Sequence, residues 1–218
     1  MTTTQVQFDY SLPNMVANCN FNVDKIDFTK TIDLFQFPEE CRNDLDNECC
    51  VYYKAISALC SFLSNQKGSK VKFCDLGTWK GQSALAAYHG GAEVDTFDIT
   101  TDNMYNLGKI EELCNFTLLK EPKDCLDIDY SQYDLVFCDV SAEEGYGAGE
   151  MEELIHGKLI ESNFNGIALY DDICLDPYMI YWWNKVEQPK LFMLYWHMFA
   201  SHDMSIMPGF GVIDYRKN

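Results

Sequence analysis

The sequence predicts an α/β fold, a three-layer sandwich on a mostly parallel, seven-stranded sheet with an antiparallel edge strand. Short apolar runs alternate five times with stretches of helical period between residues 48 and 186. That is the pattern of parallel strands joined by crossover helices. Two further apolar runs, 191–198 and 210–215, follow with only a polar turn and Pro208-Gly209 between them, and read as a hairpin-like closing pair. Several of the runs end on aspartate, at the carboxyl rim where such sheets bind ligands. A chain of 218 residues makes one such domain with a full core and is too short for two ordinary ones.

Residues 1–47 are mixed and polar without a dependable period, and read as a cap or lid; residues 48–218 carry the sheet domain. Within 48–64, Val51, Ala55, Ala58, Leu59 and Phe62 recur at helical spacing, with Gly68 beyond the end. The next unit organises the rest of the chain. Val71–Leu76 is an apolar strand, Gly77 to Gly81 a turn, Gln82–His89 a helix, and Val94–Ile99 a strand carrying Asp98 at its end. Glycines at such a turn let backbone N–H groups and a helix N-terminus face a ligand. The spacing is G-x-x-x-G with no G-K-[ST] after it, which disfavours dinucleotide and Walker-type readings.

Asp102–Cys114 reads as a helix, Phe116–Leu119 as a short buried strand, and Glu121–Asp129 as an acidic loop or short helix. Asn115-Phe116-Thr117 matches a glycosylation sequon, taken as chance at the start of that strand. Tyr133–Asp139 is a buried strand ending on an acid. After a loop with Gly145, Gly147 and Gly149 comes a helix with Met151, Leu154, Ile155 and Leu159 on one face. Gly166–Tyr170 is a strand ending at Asp171 and Asp172, and Tyr178–Val186 an aromatic helix. There, Met179 and Trp183 suit the sheet side, and either Tyr178 or Trp182 could wall a pocket.

Asp75, Asp98, Asp139, Asp171 and Asp172 thus fall on one rim. Carboxylates gathered there repel one another unless a cation or hydrogen-bond donors intervene. Asp139, Asp171 and Asp172 meet if their strands are neighbours, and oxygen-only ligands suit Mg²⁺, Mn²⁺ or Ca²⁺ better than zinc. The bland alternative is that these aspartates cap helices. His89 and His156 sit on helices and read as structural, whereas His197 and His202 flank the last turn and could reach the rim as a base or substrate contact.

Composition narrows the partners. Lys and Arg number 16 against 34 Asp and Glu, a net charge of -18, which repels phosphate backbones and anionic membranes. A small neutral or cationic molecule fits better than nucleic acid. The N-terminus lacks the basic and apolar regions of a signal peptide, and no run is long enough to span a bilayer. A cytoplasmic protein without a membrane partner is expected, and its ten scattered cysteines, with no C-x-x-C, read as reduced core residues.

These residues resemble a class I S-adenosylmethionine (SAM)-dependent methyltransferase with its Rossmann-like sheet. DLGTWKGQSALAAY resembles the first motif of the small-molecule O-methyltransferases, with Asp75, Gly77, Gly81 and Ser83 at the matching positions. VDTFDI resembles the second motif, YDLVFCDV the fourth and GIALYDDI the fifth. The resemblance implies SAM over Asp75, Gly77, Thr78, Gly81 and Ser83, its ribose on Asp98, with Asp124 and Asp139 completing the cofactor set. The acids ending strands four and five are similar to those of cation-dependent catechol-type and of sugar- and cephalosporin-tailoring enzymes. Asp139, Asp171 and Asp172 would then hold a divalent cation such as Mg²⁺. Asp172 stands where the catechol-type pattern has Asn, and Ala142 where it has a lysine base.

The implied reaction is methyl transfer to a hydroxyl of a small molecule, with or without a divalent cation. Asp139, His197 and His202 are the candidate catalytic residues, with Glu143 and Glu144 as further proton acceptors. The alternatives are a metal-independent N- or carboxyl-methyltransferase and an inactive methyltransferase-like binding or scaffold protein. A homodimer is compatible with either.

Overall fold

The computed structural model describes residues 51–104, 107–140, 149–174, 176–193 and 209–217. The expected cap at 1–47, and Ala142, Glu143, Glu144, His197 and His202, lie outside the described residues. The chain runs α1 (Val51–Lys67), β1 (Lys72–Leu76), α2 (Gln82–His89), β2 (Glu93–Asp98), α3 (Leu107–Leu113) and β3 (Asn115–Leu118). Two 3-10 turns follow, Pro122–Asp127 and Tyr130–Gln132. Then come β4 (Leu135–Cys138), α4 (Glu150–Glu161), β5 (Ile167–Tyr170), α5 (Pro177–Lys185), β6 (Lys190–Met193) and β7 (Phe210–Asp214).

The expected seven-stranded sheet is present, in the order β3-β2-β1-β4-β5-β7-β6. The first five strands are mutually parallel, and β7 runs antiparallel to both β5 and β6. The antiparallel strand therefore lies one place in from the edge, with β6 outermost. From β1 the chain winds outward to β3, then crosses back to β4 and winds the other way, so the topological switch lies between β1 and β4.

Side-chain alternation divides the core. Phe73, Leu135, Phe137, Ile167, Leu169 and Val212 pack beneath α1, α2 and α3. Their neighbours Cys74, Leu76, Val136, Cys138, Ala168, Tyr170 and Ile213 pack beneath α4 and α5. Burial on both faces explains why these strands read as continuous apolar runs. The described cysteines are free, with Cys60, Cys74, Cys114, Cys125 and Cys138 buried and Cys174 half-buried. Burial pushes the Cys114 and Cys125 thiols up to about 12, which keeps them protonated and unreactive. No described helix is long and apolar enough to cross a membrane.

Local rules set the helix ends. The N–H of Gly68 (φ 72°) closes α1 on Ser64 O, and the Asp176 side chain caps α5 by accepting from Tyr178 N, with Pro177 in its first turn. Four expectations need correction. The helix expected from Asp102 starts only at Leu107, because residues 101–104 form a turn in which Met104 N donates to Thr101 O. Strand β3 is an edge strand, not a buried one: Asn115 is exposed, and its amide donates to Asp95. On α5, Trp182 and Trp183 are both buried and stack 5.9 Å apart, so Trp182 belongs to the core. On α4 the inward face is Met151, Glu152, Ile155 and Leu159; Leu154 is 44% exposed and Glu152 only 5%.

Candidate active site

Sheet register builds the site. Leu76 pairs with Phe97 on one side and Cys138 on the other, and Cys138 pairs with Tyr170. Gly77, Asp139 and Asp171, the residues that follow β1, β4 and β5, therefore leave the sheet side by side with Asp98, the last residue of β2. Two backbone bonds continue the ladder past the strand ends, from Asp139 N to Leu76 O and from Asp171 N to Cys138 O.

The glycine turn occupies the β1 side of the switch. Gly77 and Gly81 have φ of 88° and 90°, in the left-handed region that favours glycine. A Cβ on Gly77 would overlap the Asp139 carbonyl oxygen, and one on Gly81 would overlap Ile110 Cδ1. Gly81 begins α2 without any side-chain cap, so the amides of the first turn face outward uncapped. The Asp98 carboxylate braces the turn, accepting from Trp79 N at 2.6 Å and from Thr100 N at 3.0 Å.

Beneath the turn lies a buried polar chain. Thr78 and Thr96 hydroxyls meet at 2.5 Å, and Thr96 donates to Asp75 Oδ2 at 2.5 Å. Thr78 thus spends its hydroxyl inside the domain. Burial pushes the Asp75 carboxyl up to about 7, against the pull of the Thr96 and Ser83 hydroxyls. Asp75 Oδ1 is buried and completes no hydrogen bond. Such an orphaned acceptor beside an uncapped helix start fits a ligand that brings an N–H or ammonium group. Asp124, in contrast, uses Oδ2 to accept from Lys120 N and Glu121 N, in a capping box of the first 3-10 turn.

The β4–β5 side of the switch is acidic. One carboxylate oxygen each from Asp139, Asp171 and Asp172 lies within 4.8 Å of the others. Asp172 has φ 57°, uncommon for a residue with a side chain, and Asp171 Oδ1 holds that turn by accepting Asp172 N at 2.8 Å. Burial, then Asp171 and Asp172, push the Asp139 carboxyl well up, and burial takes Asp172 to about 6. A divalent cation would offset the repulsion among these carboxylates, and their all-oxygen donor set fits Mg²⁺, Mn²⁺ or Ca²⁺. The sequence reading did not place the buried Glu152 on the inward face of α4. The signal was present, because Glu152, Ile155 and Leu159 follow i, i+3, i+7 spacing, but hydropathy favours a leucine over a glutamate for an inward place.

No family model matches the sequence, and neither does any curated protein. Solved structures do resemble the fold. WbdD, described as a bifunctional kinase-methyltransferase, aligns at a TM-score of 0.55 and 14% identity over 87% of this chain and 47% of its own. The chain thus spans about half the length of the WbdD structure it matches. A Staphylococcus aureus protein provisionally assigned as a caffeoyl-CoA O-methyltransferase aligns at 0.52 and 15% identity, over 85% of this chain and 94% of its own. A Streptococcus mutans protein, provisionally a SAM-dependent methyltransferase, aligns at 0.51 and 14% identity over 73% and 48%. The fold is that of the class I SAM-dependent methyltransferases.

Within that fold two candidate half-sites adjoin, the glycine turn with Asp98 and the three-aspartate cluster. Gly77 joins them, because its missing Cβ is what lets the turn rest on the Asp139 carbonyl.

Proposed function

We propose that the protein is a SAM-dependent O-methyltransferase that acts on a small hydroxylated molecule with the help of a divalent cation. The observation that carries this reading is the contact between the glycine turn and the three-aspartate cluster through Gly77 and Asp139. When bound, SAM supplies an electrophilic methyl group on a sulfonium. Asp75 and the uncapped start of α2 would receive its methionine part, and Asp98 its ribose hydroxyls. Asp139, Asp171 and Asp172 would hold the cation, whose Lewis acidity lowers the pKa of an acceptor hydroxyl. The chain's own contribution is then mainly proximity and orientation, holding the acceptor oxygen in line with the methyl group. His197 and His202 remain proposed for proton removal. The reading includes a cytoplasmic location, a small-molecule partner and a dimer as an allowed state.

Calorimetric titration with SAM and S-adenosylhomocysteine, with and without Mg²⁺, tests it. Absence of binding would sink the enzyme reading. Binding together with turnover that ignores Mg²⁺ and chelator would sink only the cation. That second outcome favours acceptor binding by the carboxylates themselves, as for an amine, since three clustered aspartates also suit a protonated nitrogen.

Asp98→Asn supplies a further check. It keeps an acceptor for Trp79 N while removing the charge, and is expected to weaken SAM by roughly 1–3 kcal/mol, the cost of losing a charged hydrogen-bond partner. Unchanged affinity would move the ribose contact to another residue.

A further inference from the structure

We propose that Gln82 is a further binding residue for SAM, its side-chain amide donating to the carboxylate of the methionine part, and that the Tyr53 hydroxyl is the group that aims it. This inference rests on the SAM reading above and is independent of the cation. The composition of α2 is the first observation. Its buried positions run from Gln82 to Ala87, and they are polar only where the helix opens, at Gln82 and Ser83. Gln82 is 3% exposed, a place that an apolar side chain would fill without the cost of burying an amide. Ser83 gives its hydroxyl to Asp75. Gln82 turns instead to α1, where the buried Tyr53 donates to its Oε1 at 3.2 Å.

Helix packing fixes that hydroxyl. A Cβ on Gly90, just past α2, would lie 2.5 Å from Ser57 O and 2.8 Å from Cys60 Cβ, so α1 touches α2 at both of its ends. Tyr53 stands one helical turn before Ser57 and is thereby held at the opening of α2. A carboxamide offers an oxygen acceptor and an NH₂ donor. With Oε1 engaged by Tyr53, Gln82 has its NH₂ group to give a ligand, and it does so from the first turn of a helix whose N-cap, Gly81, supplies no side-chain bond. The methionine part of SAM is a zwitterion. Its ammonium suits the orphaned Asp75 Oδ1, and its carboxylate suits the uncapped amides of α2, beside which Gln82 stands.

The test titrates the full chain calorimetrically with SAM and with decarboxylated SAM, which keeps the sulfonium and the amine but lacks the carboxylate. Gln82→Met keeps the length of the side chain and removes its donors, and Tyr53→Phe removes one hydroxyl while keeping the ring. The wild type should prefer SAM, and both variants should lose much of that preference. Gln82→Met is expected to weaken SAM on the order of 10–100-fold, the range for a hydrogen bond to a charged group, and Tyr53→Phe by about 2–10-fold. Neither should change the affinity for decarboxylated SAM. Tyr133→Phe removes another tyrosine hydroxyl, the one bonded to Asp95, and should lower the melting temperature while leaving both affinities at wild-type values. Wild-type SAM affinity in Gln82→Met would overturn the inference. Equal losses for the two ligands would assign the pair to the packing of α1 on α2 and overturn it as well. A loss in Gln82→Met with none in Tyr53→Phe would overturn the role of Tyr53, and Tyr53→Phe alone carries the test if Gln82→Met does not fold. Failure of the wild type to bind either ligand would overturn the SAM reading and this inference with it.

Discussion

Gly77→Ala is expected to destabilise the domain by about 2–5 kcal/mol and to weaken cation binding in the protein that still folds. A side chain at the left-handed φ of 88° costs roughly 1–2 kcal/mol by itself. The added methyl would also overlap the Asp139 carbonyl oxygen, and relieving such an overlap typically costs about 1–3 kcal/mol more. The displaced group is backbone, fixed by the Asp139 N to Leu76 O bond, so no flexible side chain can absorb the shift. Gly91→Ala is the control. Gly91 has φ 90° but nothing within 4 Å of an added Cβ, so only the roughly 1–2 kcal/mol of backbone strain should appear. Chemical denaturation of both variants makes the comparison, and equal losses would refute the packing of the turn on Asp139.

In chelator, the protein should be more stable near pH 5 than near pH 7.5, by on the order of 4 kcal/mol. Burial raises Asp75 and Glu152 each to about 7, far above the values near 4 they take when unfolded. The folded state therefore holds protons that the unfolded state has released. The stabilisation is complete below the unfolded values and is lost as pH rises through about 7. Asp139 and Asp172 shift in the same direction. His156 opposes them. Burial lowers it to about 4, so its contribution is present above about 6.5 and is lost as pH falls toward 4. The acids outnumber it, and the net slope is downward with rising pH. Denaturation at the two pH values, repeated with Mn²⁺, is the measurement. Saturating cation should raise stability at pH 7.5 most, where the carboxylates are free of protons. A chelated protein more stable at pH 7.5 would contradict the buried acids.

The sheet and the rim of the site were legible in the sequence because both rest on continuous apolar runs and on where those runs stop. That logic placed Asp139, Asp171 and Asp172 at strand ends, and the register of β4 on β5 then brought their oxygens within 4.8 Å of one another. Three-dimensional partners were not legible. Thr78 turns its hydroxyl to Thr96, and Asp124 gives its carboxylate to two amides, because local backbone geometry decides both. The burial of Glu152 was passed over for a different reason: spacing sets it with Ile155 and Leu159, but hydropathy gives an inward place to an apolar residue. The exposure of β3 went unread because a four-residue apolar run does not say whether another strand lies beyond it.

Strand β7 has a consequence for how the chain reaches this state. Among the described residues β6 joins the sheet through β7, and β7 fills the gap beside β5, with Trp183 lying against Gly211. A ribosome delivers β5 and β6 before β7, so the nascent chain must carry an open, apolar β5 edge and an undocked β6 until Phe210–Asp214 emerges. Non-local pairings of this kind slow folding and leave edges open to wrong partners. Asp139, Asp171 and Asp172, which follow β4 and β5, are thus synthesised before the strand that completes the sheet beside them.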